Sequence, residues 1–477
     1  MDKNAIKKYA VWARRELISR VSQRAALYEI TDKGYGDASA DSVLGRVMSA
    51  EEKRQRQALI AQIREKGYEQ VMEEIAYTWF NRFIALRFME VNGYLPSRVR
   101  VFTDDENNFK PQILTEAINM ELDGLDMEKV YALKNANDDD ALFKYMIIVQ
   151  CNALSSILPG MFQRISDFTE LLFPDNLLRE GSVIEQMVST IPEEDWTDQV
   201  QIIGWLYQYY NAEPKDKVFR DLKQKIKIST ENIPAATQLF TPDWIVRYLV
   251  ENPLGRLWIE GHGRPDAADW PYYLEEAEQP ESALRELNRL RADRRDIRPE
   301  QIRFLDPCMG SGHILVYAFD VLMQIYLSYG YTTNEAVESI VRNNLWGMDI
   351  DDRAAQLAYF AVMMKAQQYD HRWLAKQVCH PVQPHVFALQ DSDDWSAFES
   401  QMRRAFSNHP SLFEDASIKT AKALFDTFAD AKEYGCIIQP DVTLDELDML
   451  EKVLDEMQQQ ADLMDFVAQA DAVALLE

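Results

Sequence analysis

The sequence predicts an α/β protein that is predominantly helical, with a helical N-terminal domain followed by a parallel sheet. Apolar side chains recur at helical spacing over the first 230 or so residues. Residues 302–389 then alternate short apolar strands with long helices, and the chain becomes helical again from about residue 400. Strands that alternate with helices form parallel, doubly wound sheets. We therefore expect three segments, at residues 1–230, 231–400 and 401–477.

Two aromatic-rich stretches support the helical N-terminal domain. The stretch Glu69 to Val91 predicts a helix that stops near Gly93, and Ile202 to Asn211 predicts another that ends before Pro214. Apolar residues share one face of the first helix: Val71, Ile75, Trp79, Phe83 and Leu86. Aromatic side chains in such stripes are mostly buried in protein cores. We expect the tyrosines of the second helix to pack in the core rather than to stack on bases.

The charge balance argues against a surface that binds DNA everywhere. The chain has 51 Lys and Arg against 78 Asp and Glu, a net charge of −27, whereas DNA-binding surfaces are basic. The arginine-rich stretch 285–298 is interleaved with acids, which favours a solvated helix over phosphate contacts. The stretch from Asp441 to the end is acidic. We expect duplex DNA binding by this chain to be weak and non-specific.

Composition also predicts the compartment. No apolar run approaches the roughly 20 residues that span a bilayer, and the charged N-terminus does not resemble a signal peptide. The four cysteines form no CxxC pair, which is typical of reduced thiols rather than disulfides or a zinc site. We expect a soluble, cytoplasmic protein without membrane partner or metal site.

The elements of the middle segment follow from its apolar runs. Thr241-Pro242-Asp243 predicts a helix start, with Thr241 as N-cap. Downstream, the predicted strands are Ile302–Leu305, Leu345–Ile350 and His385–Leu389, and the predicted helices are Ile314–Tyr329 and Asp352–Tyr369.

The strongest motif is Asp306-Pro307-Cys308-Met309-Gly310-Ser311-Gly312, between the first strand and its helix. Small residues there let the backbone approach a ligand at the carboxyl end of a strand. The motif is neither the G-x-G-x-x-G of dinucleotide sites nor a phosphate-binding loop, which disfavours a nicotinamide oxidoreductase. It resembles motif I (D-P-x-x-G-S-G) of amino-methyltransferases. The resemblance implies S-adenosylmethionine as cofactor, bound by Asp306, Gly310 and Gly312.

Three further stretches resemble motifs of the same enzymes. Trp346-Gly347-Met348-Asp349-Ile350-Asp351 resembles motif II, which assigns Asp349 to the ribose and Ile350 to the adenine ring. Leu239-Phe240-Thr241-Pro242 resembles motif X, which implies that Phe240 and Thr241 hold the methionine end of the cofactor. Asp391 follows the third strand, where motif III places an acid near the adenine. Its spacing from Asp349 is long, so a cofactor contact and an unrelated loop acid both remain open.

The whole chain resembles one family, the adenine-specific DNA methyltransferases of the phage-growth-limitation or bacteriophage-exclusion (BREX) systems. Beyond the motif-I block, the resemblance lies in AIKKYAVWARRELISRV, YTWFNRFIALRFMEVNGYLP and IIGWLYQYY. It implies the Rossmann-like cofactor-binding half of a class I methyltransferase. It also implies methyl transfer to adenine N6, with double-stranded DNA and other defence proteins as partners.

One family motif does not occur in these 477 residues. Methylation of adenine N6 uses a D/N-P-P-Y/F tetrapeptide that binds the amine and stacks on the flipped base, and the sequence has no such tetrapeptide. We expect the chain to be an N-terminal fragment that transfers no methyl group alone and has no catalytic residue. His313 lies in the cofactor turn, where we expect a structural role. A non-catalytic cofactor-binding or scaffolding module of a defence complex is the alternative.

Overall fold

The computed structural model describes residues 1–162, 168–229, 232–392, 395–408 and 414–453. The chain forms two compact units, Met1–Phe387 and Ala388–Glu477. The first unit is mostly helical and contains a small parallel sheet. Among the described residues, no helix combines the length and the apolar character needed to cross a membrane.

The N-terminal part of the first unit is built from helices. They are α1 (Lys3–Ala26), α2 (Ala50–Lys66), α3 (Tyr68–Val91), α4 (Gln112–Thr115), α5 (Met127–Asn135), α6 (Asp139–Leu154), α7 (Phe168–Leu171), α8 (Val183–Thr190), α9 (Gln201–Tyr210) and α10 (Ala212–Lys223). Helix α1 packs against α3, α8 and α9. The predicted helix over residues 69–91 is confirmed as α3, and its predicted apolar face is buried.

The second aromatic helix is confirmed as α9, but its end has a different cause from the one predicted. Tyr207 and Tyr210 are buried, as expected of core residues. Pro214 does not stop α9. It lies instead in the first turn of α10, where proline is tolerated because the first helical N–H groups have no partner within the helix.

Two small hairpins interrupt the helices and were not predicted from the sequence. Strands β1 (Ile30–Thr31) and β2 (Gly34–Tyr35) pair antiparallel, as do β3 (Ser42–Val43) and β4 (Arg46–Val47). Each strand has only two residues, too few for a period-2 pattern to be recognised.

The parallel sheet has the strand order β5 (Phe304–Asp306), β6 (Leu345–Asp349) and β7 (His385–Ala388). Strands β5 and β6 pair in parallel, with Leu305 opposite Trp346. All three predicted strands and both predicted helices are confirmed to within two residues. The remaining helices of this unit are α11 (Ile233–Thr237), α12 (Asp243–Val250), α13 (Arg256–His262), α14 (Glu281–Arg294), α15 (His313–Tyr329), α16 (Thr333–Ser339), α17 (Asp352–Tyr369) and α18 (Trp373–Gln377).

Short segments of tighter or wider helix complete the first unit. The 3₁₀ turns are Glu193–Asp195 and Pro299–Gln301, and the π-helical turns are Glu251–Gly255 and Ile340–Asn344. Helices α15 and α17 pack against each other and against β6, so their N-termini and the carboxyl ends of β5 and β6 meet.

The predicted start of α12 differs by one residue from the observed one, and the predicted exposure of α14 is confirmed. Helix α12 begins at Asp243, and Pro242 rather than Thr241 is its N-cap residue. Residues 285–294 of the arginine-rich stretch lie in α14, which has no buried residue and is therefore the solvated helix that was expected. Arg291 and Arg294 pair with Glu260 of α13.

The second unit has its own small core. It contains α19 (Trp395–Asn408), α20 (Glu414–Thr427), α21 (Ala431–Tyr434) and a 3₁₀ turn at Gly435–Ile437. Its buried residues include Met402, Ile418 and Leu450. The end of the predicted acidic segment, residues 454–477, lies outside the described residues.

Candidate cofactor-binding site

The loop from β5 to α15 takes its shape from two glycines with positive φ. Gly310 has φ +54° and Gly312 has φ +79°, conformations that cost other residues free energy. A methyl group on Gly312 would lie 2.9 Å from the Cα of Ala358, whereas one on Gly310 would meet no atom of the described residues within 4 Å. Gly312 therefore allows α15 to approach α17 closely, and Gly310 leaves an open cradle beside the loop.

Asp349 connects this loop to the end of β6. Its Oδ2 accepts a 2.8 Å hydrogen bond from the Gly310 N–H, and its Oδ1 accepts one of 2.9 Å from the Asp351 N–H. Burial raises the pKa of Asp349 above its ordinary value, although these two hydrogen bonds oppose the shift. Each carboxylate oxygen has two lone pairs, so Asp349 keeps capacity to accept hydrogen bonds from a ligand.

Asp306, the last residue of β5, is 7% exposed. Its Oδ1 accepts a 3.2 Å hydrogen bond from the Cys308 N–H, whereas its Oδ2 is buried and has no partner among the described residues. Burial raises the pKa of this carboxyl group, and the nearby Asp349 raises it further. An unpaired buried carboxylate oxygen is unfavourable, so Asp306 Oδ2 is a candidate to accept a hydrogen bond from a ligand.

His313 is the first residue of α15 and is 8% exposed. Its ring stacks on Phe240, with centroids 4.5 Å apart and planes at 18°. Its Nε2 is buried and has no partner among the described residues. Burial lowers the pKa of His313 to about 4, so the imidazole is neutral at physiological pH.

Helix α9 supplies residues to this site that the sequence analysis did not assign to it. A methyl group on Gly204 would overlap the Phe240 ring, and the Trp205 ring lies 4.3 Å from that ring between centroids. A glycine within an otherwise aromatic helix indicates close approach by another element. That signal was present in the sequence, but it does not identify Phe240 as the group that packs on Gly204.

A buried ion pair follows Asp349. Asp351 is 6% exposed, caps α17 by accepting a 3.0 Å hydrogen bond from the Arg353 N–H, and pairs with the Arg353 guanidinium through both oxygens. Asp351 is therefore the N-cap residue of α17. Burial alone would raise the pKa of Asp351, but Arg353 outweighs burial and holds it below its ordinary value. The ion pair itself was not predicted.

The structure brings most of the predicted site residues together, at the carboxyl ends of β5 and β6. They are Asp306, Gly310, Gly312, Asp349 and Ile350. Phe240 joins them through its stack on His313, and the half-buried Thr241 is the next residue in the chain. Asp391 belongs to the second unit, where its carboxylate accepts a 2.8 Å hydrogen bond from the Lys432 N–H. Its role toward a cofactor stays a prediction.

The chain is similar to known DNA methyltransferases. Residues 275–394 match the family model described as MmeI, DNA-methyltransferase domain, a range that includes Asp306, Asp349 and Asp391 but not Phe240. The adenine-specific methyltransferase PglX of Lacticaseibacillus casei (strain Zhang) is 42% identical over 428 residues, which cover 82% of this chain and 34% of that protein. The adenine-specific methyltransferase BrxX of Escherichia coli O9:H4 (strain HS) is 37% identical over 468 residues, or 92% of this chain and 38% of that protein.

This chain is similar to the adenine-specific methyltransferases PglX and BrxX. It spans about a third of the length of these curated relatives. The similarity to the PglX/BrxX proteins is not confined to the motifs, since it extends over most of the chain and so includes the N-terminal helices as well as the sheet.

Proposed function

We propose that this chain forms the S-adenosylmethionine-binding part of a DNA adenine-N6 methyltransferase that acts in bacterial anti-phage defence of the BREX type. One observation carries the proposal for the site: the motif-I loop and the motif-II acid are joined by the hydrogen bond from Gly310 to Asp349. This bond places a carboxylate at the end of the second strand beside a glycine cradle, which is where open α/β sheets bind nucleoside cofactors.

The residues present fit that cofactor. Asp306 Oδ2 and His313 Nε2 are buried polar atoms without a partner among the described residues, and a methyl group on Gly310 would occupy open space. Two unpaired polar atoms, on the residues that flank the glycine loop in the sequence, suit a ligand with hydrogen-bonding groups. The finer description of the sheet as the Rossmann-like half of a class I methyltransferase is part of the proposal.

We assign the residues as follows. Asp349 accepts hydrogen bonds from the ribose hydroxyls, and Ile350 packs on the adenine ring. Phe240, Thr241 and His313 surround the methionine end, where the neutral imidazole offers a hydrogen bond and adds no charge at physiological pH. Asp306 and the two glycines shape the loop, and Asp391 is a further candidate near the adenine. When bound, S-adenosylmethionine supplies the methyl group.

The partners and the compartment complete the proposal. We place the protein in the cytoplasm, with double-stranded DNA as substrate and other defence proteins as partners. Phosphate binding requires basic surface, whereas this chain has a formal charge of −27. We therefore propose that regions of the longer relatives outside this chain make most of the DNA contacts.

Two measurements test the proposal. Isothermal titration calorimetry of the 477-residue chain with S-adenosylmethionine and S-adenosylhomocysteine should show saturable binding at one site, and NADH should not compete. The full-length protein should transfer tritium from the labelled cofactor to N6 of adenine in unmethylated host DNA. Transfer to cytosine, or the absence of saturable cofactor binding, would refute the proposal.

A second candidate is a non-catalytic cofactor-binding or scaffolding module of a defence complex. The observation that favours it is that these 477 residues contain no D/N-P-P-Y/F tetrapeptide. Cofactor binding by the full-length protein, without methyl transfer to any DNA and with intact assembly of the complex, would support this candidate over the enzyme.

A further inference from the structure

Helix α9 of the N-terminal helical region contacts the segment that follows the motif-II strand. The side chain of Tyr207 is buried, and its hydroxyl donates a 2.9 Å hydrogen bond to Asp351 Oδ2. The same carboxylate pairs with Arg353 at 2.9 and 3.0 Å. Tyr207 and Arg353 together therefore hold the Asp351 side chain in one orientation.

Asp351 in turn positions the proposed ribose-binding group. Its backbone N–H donates a 2.9 Å hydrogen bond to Asp349 Oδ1, while the Gly310 N–H donates to Oδ2. The Asp349 carboxylate is thus held between two backbone donors. One of these belongs to the motif-I loop, and the other belongs to the residue that Tyr207 holds.

Aromatic packing anchors this network in the helical core. The Arg353 guanidinium lies 5.0 Å from the centroid of the Tyr77 ring on α3, and Tyr77 contacts Tyr207 and Tyr210 edge to face. A buried ion pair contributes little net stability, because desolvation offsets much of its attraction. Its directional hydrogen bonds nevertheless define the position of the segment that carries Asp349.

We infer that Tyr207 is a positioning residue for the cofactor, acting through Asp351 on Asp349, and that the N-terminal helices are therefore part of the cofactor-binding site. The inference rests on the proposed function and goes beyond it, because the motifs confine the site to Phe240 and later residues. It predicts that the loss of one hydroxyl group on α9 weakens cofactor binding without any change in the groups proposed to touch the cofactor.

Tyr207→Phe tests this, with Tyr210→Phe as the matched control. Both tyrosines are buried on α9, but the Tyr210 hydroxyl has no partner among the described residues. Calorimetry with S-adenosylmethionine, on samples whose folding is verified by circular dichroism, should show an affinity about three- to tenfold lower for Tyr207→Phe. The affinity of Tyr210→Phe should stay within twofold of the wild type. If Tyr207→Phe does not fold, Arg353→Lys keeps the charge but loses the two-point pairing, and should weaken binding similarly.

A double-mutant cycle separates positioning from general destabilisation. In the Asp349→Ala background, Tyr207→Phe should change the affinity by less than twofold, because the group that it positions is gone. If Tyr207→Phe and Asp349→Ala lowered the affinity by independent factors that multiply in the double variant, the inference would be wrong. Wild-type affinity in both Tyr207→Phe and Arg353→Lys would also overturn it. A wild-type chain that binds no S-adenosylmethionine is a different result, because it refutes the proposed function and the inference with it.

Discussion

The Oδ2 of Asp349 accepts a 2.8 Å hydrogen bond from the backbone N–H of Gly310, a residue that lies 39 positions earlier in the chain. The bond joins the ends of two parallel strands, β5 and β6, which pair directly. Because it ties the proposed ribose-binding group to the glycine loop, a change in either residue should affect both the geometry of the loop and the binding of the cofactor.

Replacement of the proposed ribose-binding acid should weaken cofactor binding. Asp349→Ala should lower the affinity for S-adenosylmethionine about tenfold to a hundredfold, or roughly 1.4–2.8 kcal/mol, because hydrogen bonds to a charged acceptor are lost. Calorimetry measures this loss. Asp296→Ala, which removes an exposed acid outside the site, is the control and should leave the affinity unchanged. Equal, clear binding by the wild type and Asp349→Ala would show that the ribose lies elsewhere.

The two loop glycines should differ in what they control. Gly312→Ala should destabilise the fold by about 2–5 kcal/mol, because an unfavourable backbone conformation adds to a clash with α17. Gly310→Ala should cost roughly 1–2 kcal/mol of stability from the backbone alone, but its methyl group would enter the cradle and reduce cofactor affinity. Thermal denaturation and calorimetry on both variants check this. If Gly310→Ala and Gly312→Ala lowered the free energy of unfolding by similar amounts, this prediction would be wrong.

Removal of one partner of the buried ion pair should destabilise the fold, because the other charge is then buried without a counter-ion. Asp351→Asn keeps a residue that caps helices well but leaves Arg353 without its counter-ion, and we expect a loss of about 3 kcal/mol in the free energy of unfolding. The half-exposed pair of Arg247 and Asp243 is the control, since Asp243→Asn should cost less than about 1 kcal/mol. Urea denaturation gives both values, and similar losses would argue against a special role for Asp351.

The same pair should make stability depend on pH. The pKa of Asp351 in the folded protein is lowered, because Arg353 and the hydrogen bonds outweigh burial. Its contribution is therefore present above the pKa of the unfolded chain and is lost as the pH falls through the folded-state pKa. The stability difference between wild type and Asp351→Asn should narrow as the solution is acidified, which urea denaturation at several pH values can measure.

His313 should act as a neutral group. Because burial lowers its pKa to about 4, its ring signals in NMR spectra should show no titration between pH 8 and pH 6.

His313→Phe preserves an aromatic ring for the stack on Phe240 and removes the unpartnered Nε2. It should leave stability equal or slightly higher and lower cofactor affinity. His385→Phe, in the histidine that stacks on Trp346, is the control. Unchanged affinity in His313→Phe would remove this residue from the site.

Much of the sheet and of the site was predictable from local patterns. Strands β5, β6 and β7 lie where short apolar runs end in polar residues, and the helix after β6 begins and ends at the predicted residues. The loop glycines and Asp349 are adjacent to strand ends, and the carboxyl ends of parallel strands lie at one edge of a sheet. Their proximity therefore follows once the strands are known.

The sequence by itself determined the strands and helices of the sheet and the residues of the glycine loop, because each of these depends on neighbours within a few positions. Only the tertiary structure revealed that Tyr207 donates to Asp351 and that Gly204 packs on Phe240. The first pair is separated by 144 residues. No local periodicity encodes which face of α9 meets the segment after β6, because that choice is made by the packing of α9 with α1, α3 and α17 in a shared core.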